Sequence, residues 1–403
     1  MAPRRRRGAS GDAAEDDHSE PETLKNRPPN TAFRQQRMRA WQCVLTPKLI
    51  VTIFSILAAV YLGFGAYLMY LAYTVRDISI DYTDCTSLAP SEPEFSTVPK
   101  AQITAHFKET GVFDPFQSQW QSRSRTVGNK TRKICRVNVN IPEDLKPTIS
   151  FFYHLTNFYQ NHRRYVNSFN AKQLLGEDVD GRTINDSTCS PLTHDRFGKI
   201  IYPCGLVANS VFNDTFSQPI NLSLKNTTED EAVYEMSRKG IAWPGIADLY
   251  GPTKYKASQI APPPNWEDRY PDGYNDTNLP NLKDDEDLQN WMMLAAAPNF
   301  YKLYQKNSDD VMPAGQYQID IESNFDTTKY NGRKAFVITT ISTMGSRNIY
   351  PGIIFLVVGG ICLLLDIWFI LSFFLWKPRK LGDPSYLSWN QPSAPQPGHA
   401  ATS

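Results

Sequence analysis

Residues 49–73 read LIVTIFSILAAVYLGFGAYLMYLAY, and residues 353–376 read IIFLVVGGICLLLDIWFILSFFLW. Both stretches are apolar almost throughout, and both exceed the roughly 20 residues that a helix needs to cross a lipid bilayer. The sequence that separates them is far longer than a short membrane loop of up to about 60 residues. The two stretches therefore predict a membrane protein with two transmembrane helices that tether one large domain outside the membrane.

The charges beside the two stretches predict their orientation. Positive residues are concentrated before the first stretch and after the second: Arg34, Arg37, Arg39, Lys48, Lys377, Arg379 and Lys380. On the side of the large domain, only Arg76 and Arg347 lie close to the stretches. Because positive flanks stay in the cytosol, both termini are predicted to be cytosolic, and the first helix is predicted to be a signal anchor.

These signals divide the chain into five parts. Residues 1–48 are a largely disordered cytosolic segment, 49–75 the first transmembrane helix, 76–350 a lumenal or extracellular glycosylated domain, 351–376 the second transmembrane helix and 377–403 a cytosolic tail. The first segment joins a basic run at Arg4–Arg7 to an acidic stretch at Glu15–Glu22, which is typical of disorder. The basic run is either a solvated tail or a contact for anionic lipid heads.

Glycosylation signals are confined to the predicted lumenal domain. One Asn-x-Ser/Thr sequon arises easily by chance, but six within one domain indicate N-glycosylation in the secretory pathway. The sequons lie at Asn129, Asn185, Asn213, Asn221, Asn226 and Asn275.

Four of the six cysteines lie in the same domain, namely Cys85, Cys135, Cys189 and Cys204. An even number of cysteines in an oxidising compartment predicts two disulfides, for which three pairings are possible. We prefer the pairing of sequence neighbours, Cys85 with Cys135 and Cys189 with Cys204. The second bond would close a short loop, and the chain-entropy model predicts that it stabilises the folded state by about 3 kcal/mol.

Alternation of apolar and polar residues predicts the strands of the large domain. The segments Val137–Ile141, Tyr317–Glu322 and Phe336–Thr340 alternate and predict half-buried strands, whereas Thr148–Tyr153 predicts a buried strand. The predicted fold class is therefore mainly β, an antiparallel β-sandwich with helical insertions.

The helical insertions are predicted from apolar residues at helical spacing. One helix is predicted over about Asn157–Phe169, and another over about Asp285–Tyr304 with a kink at Pro298. Surface loops are predicted at Pro262–Pro264 and at Pro271–Leu282, which is rich in Gly, Asn and Asp.

The chain lacks the common catalytic motifs. No Walker loop, HExxH, CxxC or GxSxG sequence is present. The acidic run Asp284–Asp287 lacks the spacing and the glycine of a calcium loop, and we predict that it stabilises the N-terminus of the helix that follows. The net charge of +1 gives no reason to expect a nucleic-acid partner. We therefore predict no enzyme activity, no metal and no cofactor other than N-linked glycans.

The apolar stretches carry features for contact between helices. Ser55, Ala59 and Gly63 recur every four residues and form one stripe of small side chains, which permits close approach to the second helix or to a partner. Asp366 lies near the middle of the second stretch, where an ionised carboxylate costs about 2.5–3.5 kcal/mol. Either this side chain is protonated and hydrogen-bonded, or it meets a polar group of a partner.

Six motifs in one order resemble those of a known family. They are Asn30–Trp41 (NTAFRQQRMRAW), Asn157–Val166 (NFYQNHRRYV), Tyr202–Ser210 (YPCGLVANS), Phe212–Thr215 (FNDT), Gly240–Pro244 (GIAWP), and Asn290–Trp291 with Ala297–Phe300 (APNF). The chain resembles the cell division control protein 50 family, the non-catalytic β subunits of type IV P-type ATPases that flip phospholipids. The tail after Lys377 looks like that of fungal members.

The resemblance implies a function. The chain would assemble 1:1 with the ATPase, support its folding, its export from the endoplasmic reticulum and its flippase activity, and reside there or in Golgi, endosomal or plasma membranes. ATP, magnesium and the phospholipid path would belong to the partner; this chain has no Asp-Lys-Thr phosphorylation motif. The motif residues Asn30, Phe33, Arg34, Arg37 and Trp41 would contact the partner's cytosolic face, or else Trp41 and the arginines would only anchor the chain at the membrane interface.

Two other classes of membrane protein are alternatives. A ligand-gated channel subunit is the main alternative, although such channels usually carry more disulfides and polar pore-lining residues. A membrane-anchored glycan-processing enzyme has no motif in its favour. Co-purification separates the three classes, since it would recover a multispan ATPase, a homo-oligomer or a monomer with turnover.

Overall fold

The computed structural model describes residues 31–34, 36, 38, 46–108, 111–127, 130–224 and 232–375. Residues 1–30 and 377–403, which include most of the predicted disorder, lie outside this part of the chain. The chain clusters into two compact units, residues 57–362 and the segments that precede and follow them.

The described residues form two long helices, several short ones and some single 3₁₀ turns. The α-helices are α1 (Pro47–Thr74), α2 (Cys85–Leu88), α3 (Arg163–Val166), α4 (Ala171–Leu174), α5 (Gly181–Asn185), α6 (Leu206–Asn209), α7 (Glu286–Met292) and α8 (Tyr350–Leu375). The 3₁₀ turns are Lys100–Gln102, Pro115–Gln117, Ile246–Leu249, Ala257–Gln259, Pro264–Trp266 and Thr328–Tyr330.

The long helices α1 and α8 have 28 and 26 residues and mean hydropathies of 2.3 and 2.7, as membrane spans require. A helix satisfies every backbone hydrogen bond internally, so an uninterrupted apolar run in lipid must adopt it. Within residues 57–362, the two helices pack closely at glycines. A Cβ atom on Gly65 would lie 2.9 Å from Leu356, and one on Gly352 would lie 2.7 Å from Met69.

The strands fall between the two long helices. They are β1 (Asp77–Asp81), β2 (Ser96–Thr97), β3 (Ile103–His106), β4 (Gln119–Val127), β5 (Lys130–Ile141), β6 (Ile149–Leu155), β7 (Ile200–Ile201), β8 (Thr215–Phe216), β9 (Ile220–Asn221), β10 (Ile260–Ala261), β11 (Phe300–Asn307), β12 (Gly315–Glu322) and β13 (Lys334–Thr340). The three strands predicted from alternation are confirmed as β5, β12 and β13, and the predicted buried strand is confirmed as β6. Strand β13 lies between β6 and β1, and its residues from Lys334 to Thr339 are buried on both faces of the sheet.

Most strands belong to two antiparallel sheets. The first has the order β11-β6-β13-β1-β3, and the second the order β2-β4-β5-β12-β8 with β9 also paired to β12. In the second sheet, Tyr317 pairs with Val139 and Ile319 with Val137, so that apolar residues of β5 and β12 share one face. A small parallel pair joins β7 to β10.

The two large sheets enclose one hydrophobic cluster, here called the sheet core. Ile78 and Phe336 from the first sheet and Val137 and Ile319 from the second are fully buried in it. This arrangement confirms the predicted membrane protein with two apolar helices and a mainly antiparallel β domain.

A second cluster, here called the loop core, is built from short helices and irregular segments. Its buried members are Leu174, Tyr202, Tyr250, Tyr255, Ile260, Trp266, Leu282 and Leu288. Pro263 and Leu282 are buried, so the segments predicted to be surface loops contribute buried side chains.

The helix predicted over Asn157–Phe169 is wrong, because only α3 (Arg163–Val166) is helical there. Asn157 has a left-handed backbone with φ of 59°, which interrupts a helix. The backbone N–H groups of Asn157 and Phe158 donate instead to Asn299 Oδ1 at 3.0 Å and to the carbonyl of Pro298 at 3.1 Å. The segment is therefore held by a distant loop rather than by its own turns.

The helix predicted over Asp285–Tyr304 begins as expected but ends at Met292. Asp285 Oδ1 accepts a hydrogen bond from the Leu288 N–H at 3.0 Å and caps α7. From Phe300 the chain forms β11, in which Phe300, Lys302 and Tyr304 are buried. Their two-residue spacing is a strand pattern, and pairing with β6 decides the conformation.

Candidate functional site

Two of the three residues of the predicted stripe on α1, Ala59 and Gly63, do not contact the second long helix. Ala59 and Gly63 are exposed within residues 57–362, and a Cβ atom on Gly63 would meet no other atom within 4 Å. The contact is made instead by the neighbouring face, where Gly65 approaches Leu356 and Leu62 approaches Gly359. The sequence left open whether the stripe approaches the second helix or a partner. In the structure, the second helix does not cover Ala59 and Gly63.

Ser55, the third residue of the stripe, has a different role. Within the unit formed by the segments before residue 57 and after residue 362, the Ser55 hydroxyl donates a hydrogen bond to Asp366 Oδ2 at 2.7 Å. In the same unit, the rings of Phe54 and Phe369 lie 5.8 Å apart. Asp366 is 6% exposed, and its Oδ1 is buried without a hydrogen-bond partner among the described residues. The carboxyl group is thus hydrogen-bonded within the chain at one oxygen and left with unused capacity at the other.

Only part of the cytosolic signature lies in the described residues. Phe33 is 77% exposed, and its carbonyl accepts a hydrogen bond from the Gln36 N–H at 3.1 Å. The Arg34 N–H donates to Thr31 Oγ1 at 3.2 Å, so these residues form a turn. Asn30, Arg37 and Trp41 lie outside the described residues, and the role of the signature stays a prediction.

Three of the motifs meet in the large domain. The Phe158 ring of the second motif packs against Trp291 and Phe300, with ring centroids 5.5 and 6.3 Å away. The Trp291 indole N–H donates to the Val207 carbonyl at 3.0 Å, and the Tyr165 hydroxyl lies 2.7 Å from Ser210 Oγ. These motifs therefore build one packed junction, and their common role is structural.

Lys302 closes this junction from β11. Its ammonium donates to the carbonyl of Asn290 at 2.8 Å and to that of Met293, near the C-terminus of α7, where positive charge is favourable. Burial lowers the pKa of Lys302 to about 8.

The fifth motif, Gly240–Pro244, is a loop that presents an exposed tryptophan. Trp243 is 69% exposed. Behind it, the Glu286 carboxylate accepts three hydrogen bonds, from the N–H groups of Gly240 (3.0 Å), Ile241 (2.8 Å) and Ala242 (3.1 Å). Exposed tryptophans on fixed loops are frequent anchors of protein interfaces.

The environment of Glu286 favours its charged form. Burial would raise the pKa of Glu286, but the three N–H donors and the positive charge of Lys306 lower it below its ordinary value. Lys306 also donates to the Gly240 carbonyl at 2.6 Å. The acidic run therefore does stabilise a helix N-terminus through Asp285, and through Glu286 it holds the Trp243 loop, a role that the sequence did not indicate.

The predicted sequons differ in accessibility. Asn185 and Asn275 are exposed, Asn213 is half-buried, and Asn221 is 5% exposed. The Asn221 Nδ2 donates to the Tyr317 hydroxyl at 3.2 Å, and its Oδ1 accepts from the Ser223 N–H at 2.9 Å. The sequons at Asn129 and Asn226 lie outside the described residues.

The structure contains the disulfides Cys85–Cys135 and Cys189–Cys204, the pairing preferred above. Their Cα atoms lie 5.9 and 5.6 Å apart, within the ordinary range. The first bond is buried in the sheet core, and the second joins two residues of a separate small cluster with Val179 and Ile184.

Comparison with known proteins agrees with this architecture. Residues 68–380 match the sequence model of the LEM3 (ligand-effect modulator 3) family / CDC50 family. The chain is 69% identical, over 100% of both chains, to the phospholipid-transporting ATPase accessory subunit CDC50 of Chaetomium thermophilum. It is 39% identical to the accessory subunit LEM3 of Saccharomyces cerevisiae over 93% of this chain and 90% of that protein. It is 30% identical to cell cycle control protein 50A of Mus musculus over 85% and 87%. The chain therefore belongs to the LEM3/CDC50 family.

Proposed function

We propose that this chain is the non-catalytic accessory subunit of a phospholipid-transporting P-type ATPase. The observation that carries the proposal is the identity of 69%, over the whole of both chains, to a relative named as such a subunit. Two membrane helices, a disulfide-bonded β domain and a packed junction of motif residues suit a protein whose role is assembly. The chemistry of ATP hydrolysis would belong to the partner.

The partner is a type IV P-type ATPase in a 1:1 complex, which this chain helps to fold, to leave the endoplasmic reticulum and to move phospholipids. Three surfaces support such a contact. They are the exposed stripe around Ala59 and Gly63 in the membrane, the cytosolic signature with Phe33, and the loop that presents Trp243. Each offers small, apolar or aromatic groups that have no cover within the described residues.

Both termini are cytosolic in this proposal, and the β domain is lumenal or extracellular. The positive flanks of the helices, the sequons and the disulfides support this topology together. The membranes concerned are those of the endoplasmic reticulum, the Golgi apparatus, endosomes and the plasma membrane.

The membrane contact can be tested at Gly63. A leucine there has room within this chain, but it would push away a partner helix that packs against the stripe. Gly63→Leu should therefore reduce the amount of recovered ATPase about tenfold, which corresponds to a loss of about 1.4 kcal/mol in binding free energy. The measurement is affinity purification of the full chain in mild detergent, with quantitative mass spectrometry of the ATPase.

Val60→Leu is the matched control, because Val60 is already 59% exposed and the change adds bulk outside the stripe. Recovery of equal ATPase with Gly63→Leu and with the parent would show that the stripe faces lipid. Recovery of the chain as a homo-oligomer without any ATPase would favour the channel subunit instead.

A further inference from the structure

One of the accessible sequons opens into a cavity. Asn213 lines a cavity of about 410 Å³ between the two cores. Its Oδ1 is buried without a hydrogen-bond partner, and no described residue accepts a hydrogen bond from its Nδ2, the atom that carries an N-linked glycan. This distinguishes Asn213 from Asn221, whose Nδ2 is buried against Tyr317.

The backbone at Asn213 is held rigidly. The adjacent Asp214 is 2% exposed, and its Oδ1 accepts from the N–H groups of Asn324 at 2.5 Å and Phe325 at 2.6 Å. Its Oδ2 accepts from the Tyr82 hydroxyl at 2.8 Å and pairs with Lys334 at 2.7 Å. A group attached to Asn213 would therefore leave the protein from a backbone position that is fixed.

The opposite wall of the cavity combines ion pairs with aromatic rings. Arg238 pairs with Asp287 at 2.5 Å and lies 4.4 Å from the centre of the Tyr304 ring. Arg269 pairs with Asp285 at 2.8 Å and lies 5.4 Å from the centre of the Trp266 ring. Guanidinium and carboxylate groups exchange hydrogen bonds with hydroxyl and acetamide groups, and aromatic rings pack against the C–H faces of a sugar.

We propose that this cavity seats the innermost sugars of a glycan on Asn213. The volume of the cavity lies within the 300–1,000 Å³ typical of small-molecule sites. Asn213 itself lines the cavity, so a glycan attached to it would be covalently held beside the cavity. The seated sugars would pack between Asn213 and the Arg238 and Arg269 pairs, and would join the sheet core to the loop core. The inference rests on the lumenal placement proposed above.

The test compares glycan release at different sequons in the native full chain. The chain is produced in a eukaryotic host and treated with peptide-N-glycosidase F before and after denaturation, and occupancy is followed site by site by mass spectrometry. We expect glycans at Asn185, Asn213 and Asn275 and none at Asn221. In the native protein, release at Asn213 should be at least about tenfold slower than at Asn275, since seated sugars must first leave the cavity.

A double variant removes two arginine side chains that line the cavity and leaves the sequon unchanged. Arg238→Ala with Arg269→Ala should bring release at Asn213 up to the rate at Asn275. Arg123→Ala, which removes a comparable exposed ion pair with Glu92, should leave Asn213 protected. The comparison within the parent protein needs no variant, so it stands even if the double variant is unstable.

Three results would overturn the proposal: no glycan at Asn213 while Asn275 is occupied, equal native release at the two sites, or protection at Asn213 that survives the double variant. Absence of glycans at every sequon would instead overturn the proposed lumenal placement of the domain, and with it the proposal that the cavity holds the sugars on Asn213.

Discussion

The sheet core and the loop core of the large domain are stabilised in different ways. In the sheet core, backbone ladders carry the hydrogen bonds, and the inward side chains are aliphatic or aromatic, as at Phe336 and Ile319. In the loop core, buried side chains add hydrogen bonds that hold the backbone. The Tyr255 hydroxyl bonds both the N–H and the carbonyl of Val179, at 2.8 and 2.7 Å, and the Tyr274 hydroxyl donates to the Tyr202 carbonyl at 2.8 Å.

The two cores therefore differ in what their stability depends on. In the sheet core it depends on the volume of the buried side chains, and in the loop core it depends on single polar atoms. A sheet ladder survives the change of one side chain, so that mutations act mainly by leaving cavities. An irregular segment has no ladder, so that removal of one hydroxyl leaves buried backbone groups unpaired. Three substitutions distinguish these cases.

The largest effect is expected at Phe336. Its ring is fully buried and stacks on Phe151 at 5.5 Å, so Phe336→Ala should lower the free energy of unfolding by about 3–5 kcal/mol. Thermal unfolding of the full chain in detergent, followed by tryptophan fluorescence, measures the loss. Phe197→Ala is the control, because Phe197 is 74% exposed. Equal losses for the two variants would contradict a volume-limited core.

A smaller but atom-specific effect is expected at Tyr255. Tyr255→Phe keeps the ring and removes the hydroxyl, which leaves the N–H and the carbonyl of Val179 unpaired and should cost about 1–3 kcal/mol. Tyr159→Phe is the matched control, since Tyr159 is 55% exposed. The same thermal measurement applies. If Tyr255→Phe proves as stable as the parent, the loop core does not depend on its polar atoms, and the contrast between the two cores fails.

The smallest effect, and one that depends on pH, is expected at Glu286. Its folded pKa is lowered, so its contribution is present above the unfolded pKa of about 4.3 and is lost as pH falls through the folded pKa. Glu286→Gln should therefore lower stability by about 1 kcal/mol or less at pH 7, since the group is partly exposed. The difference from the parent should shrink below pH 4.3, whereas Glu267→Gln should cause no difference at either pH. A difference that grows in acid would contradict the assigned hydrogen bonds.

The same contrast explains which features were predictable. Residues 137–141 and 317–322 alternate with period two, and a sheet with one buried face requires that pattern, so β5 and β12 were predicted correctly. The apolar stretches at 49–73 and 353–376 left only helices possible in lipid. The loop core depends on single contacts between distant residues, such as Tyr255 with Val179, and these leave no periodic signal.

The errors have the same origin. Residues 157–169 carry apolar side chains at helical spacing, but the hydrogen bonds that this segment donates to Asn299 and Pro298 fix a different backbone. The accessibility of a sequon is likewise a tertiary property, so the sequence could not separate the buried Asn221 from the exposed Asn275. The sequence indicated that the stripe on α1 permits close packing of helices. It did not predict the hydrogen bond that Ser55 donates to Asp366.

The most direct test of the central claim is intact mass spectrometry of the complex that the full chain forms in mild detergent. The proposed function predicts one copy of this glycosylated chain with one copy of a multispan P-type ATPase, and lipid-stimulated ATP hydrolysis in the same fraction. A homo-oligomer of the chain, or a monomer that carries no ATPase, would contradict it.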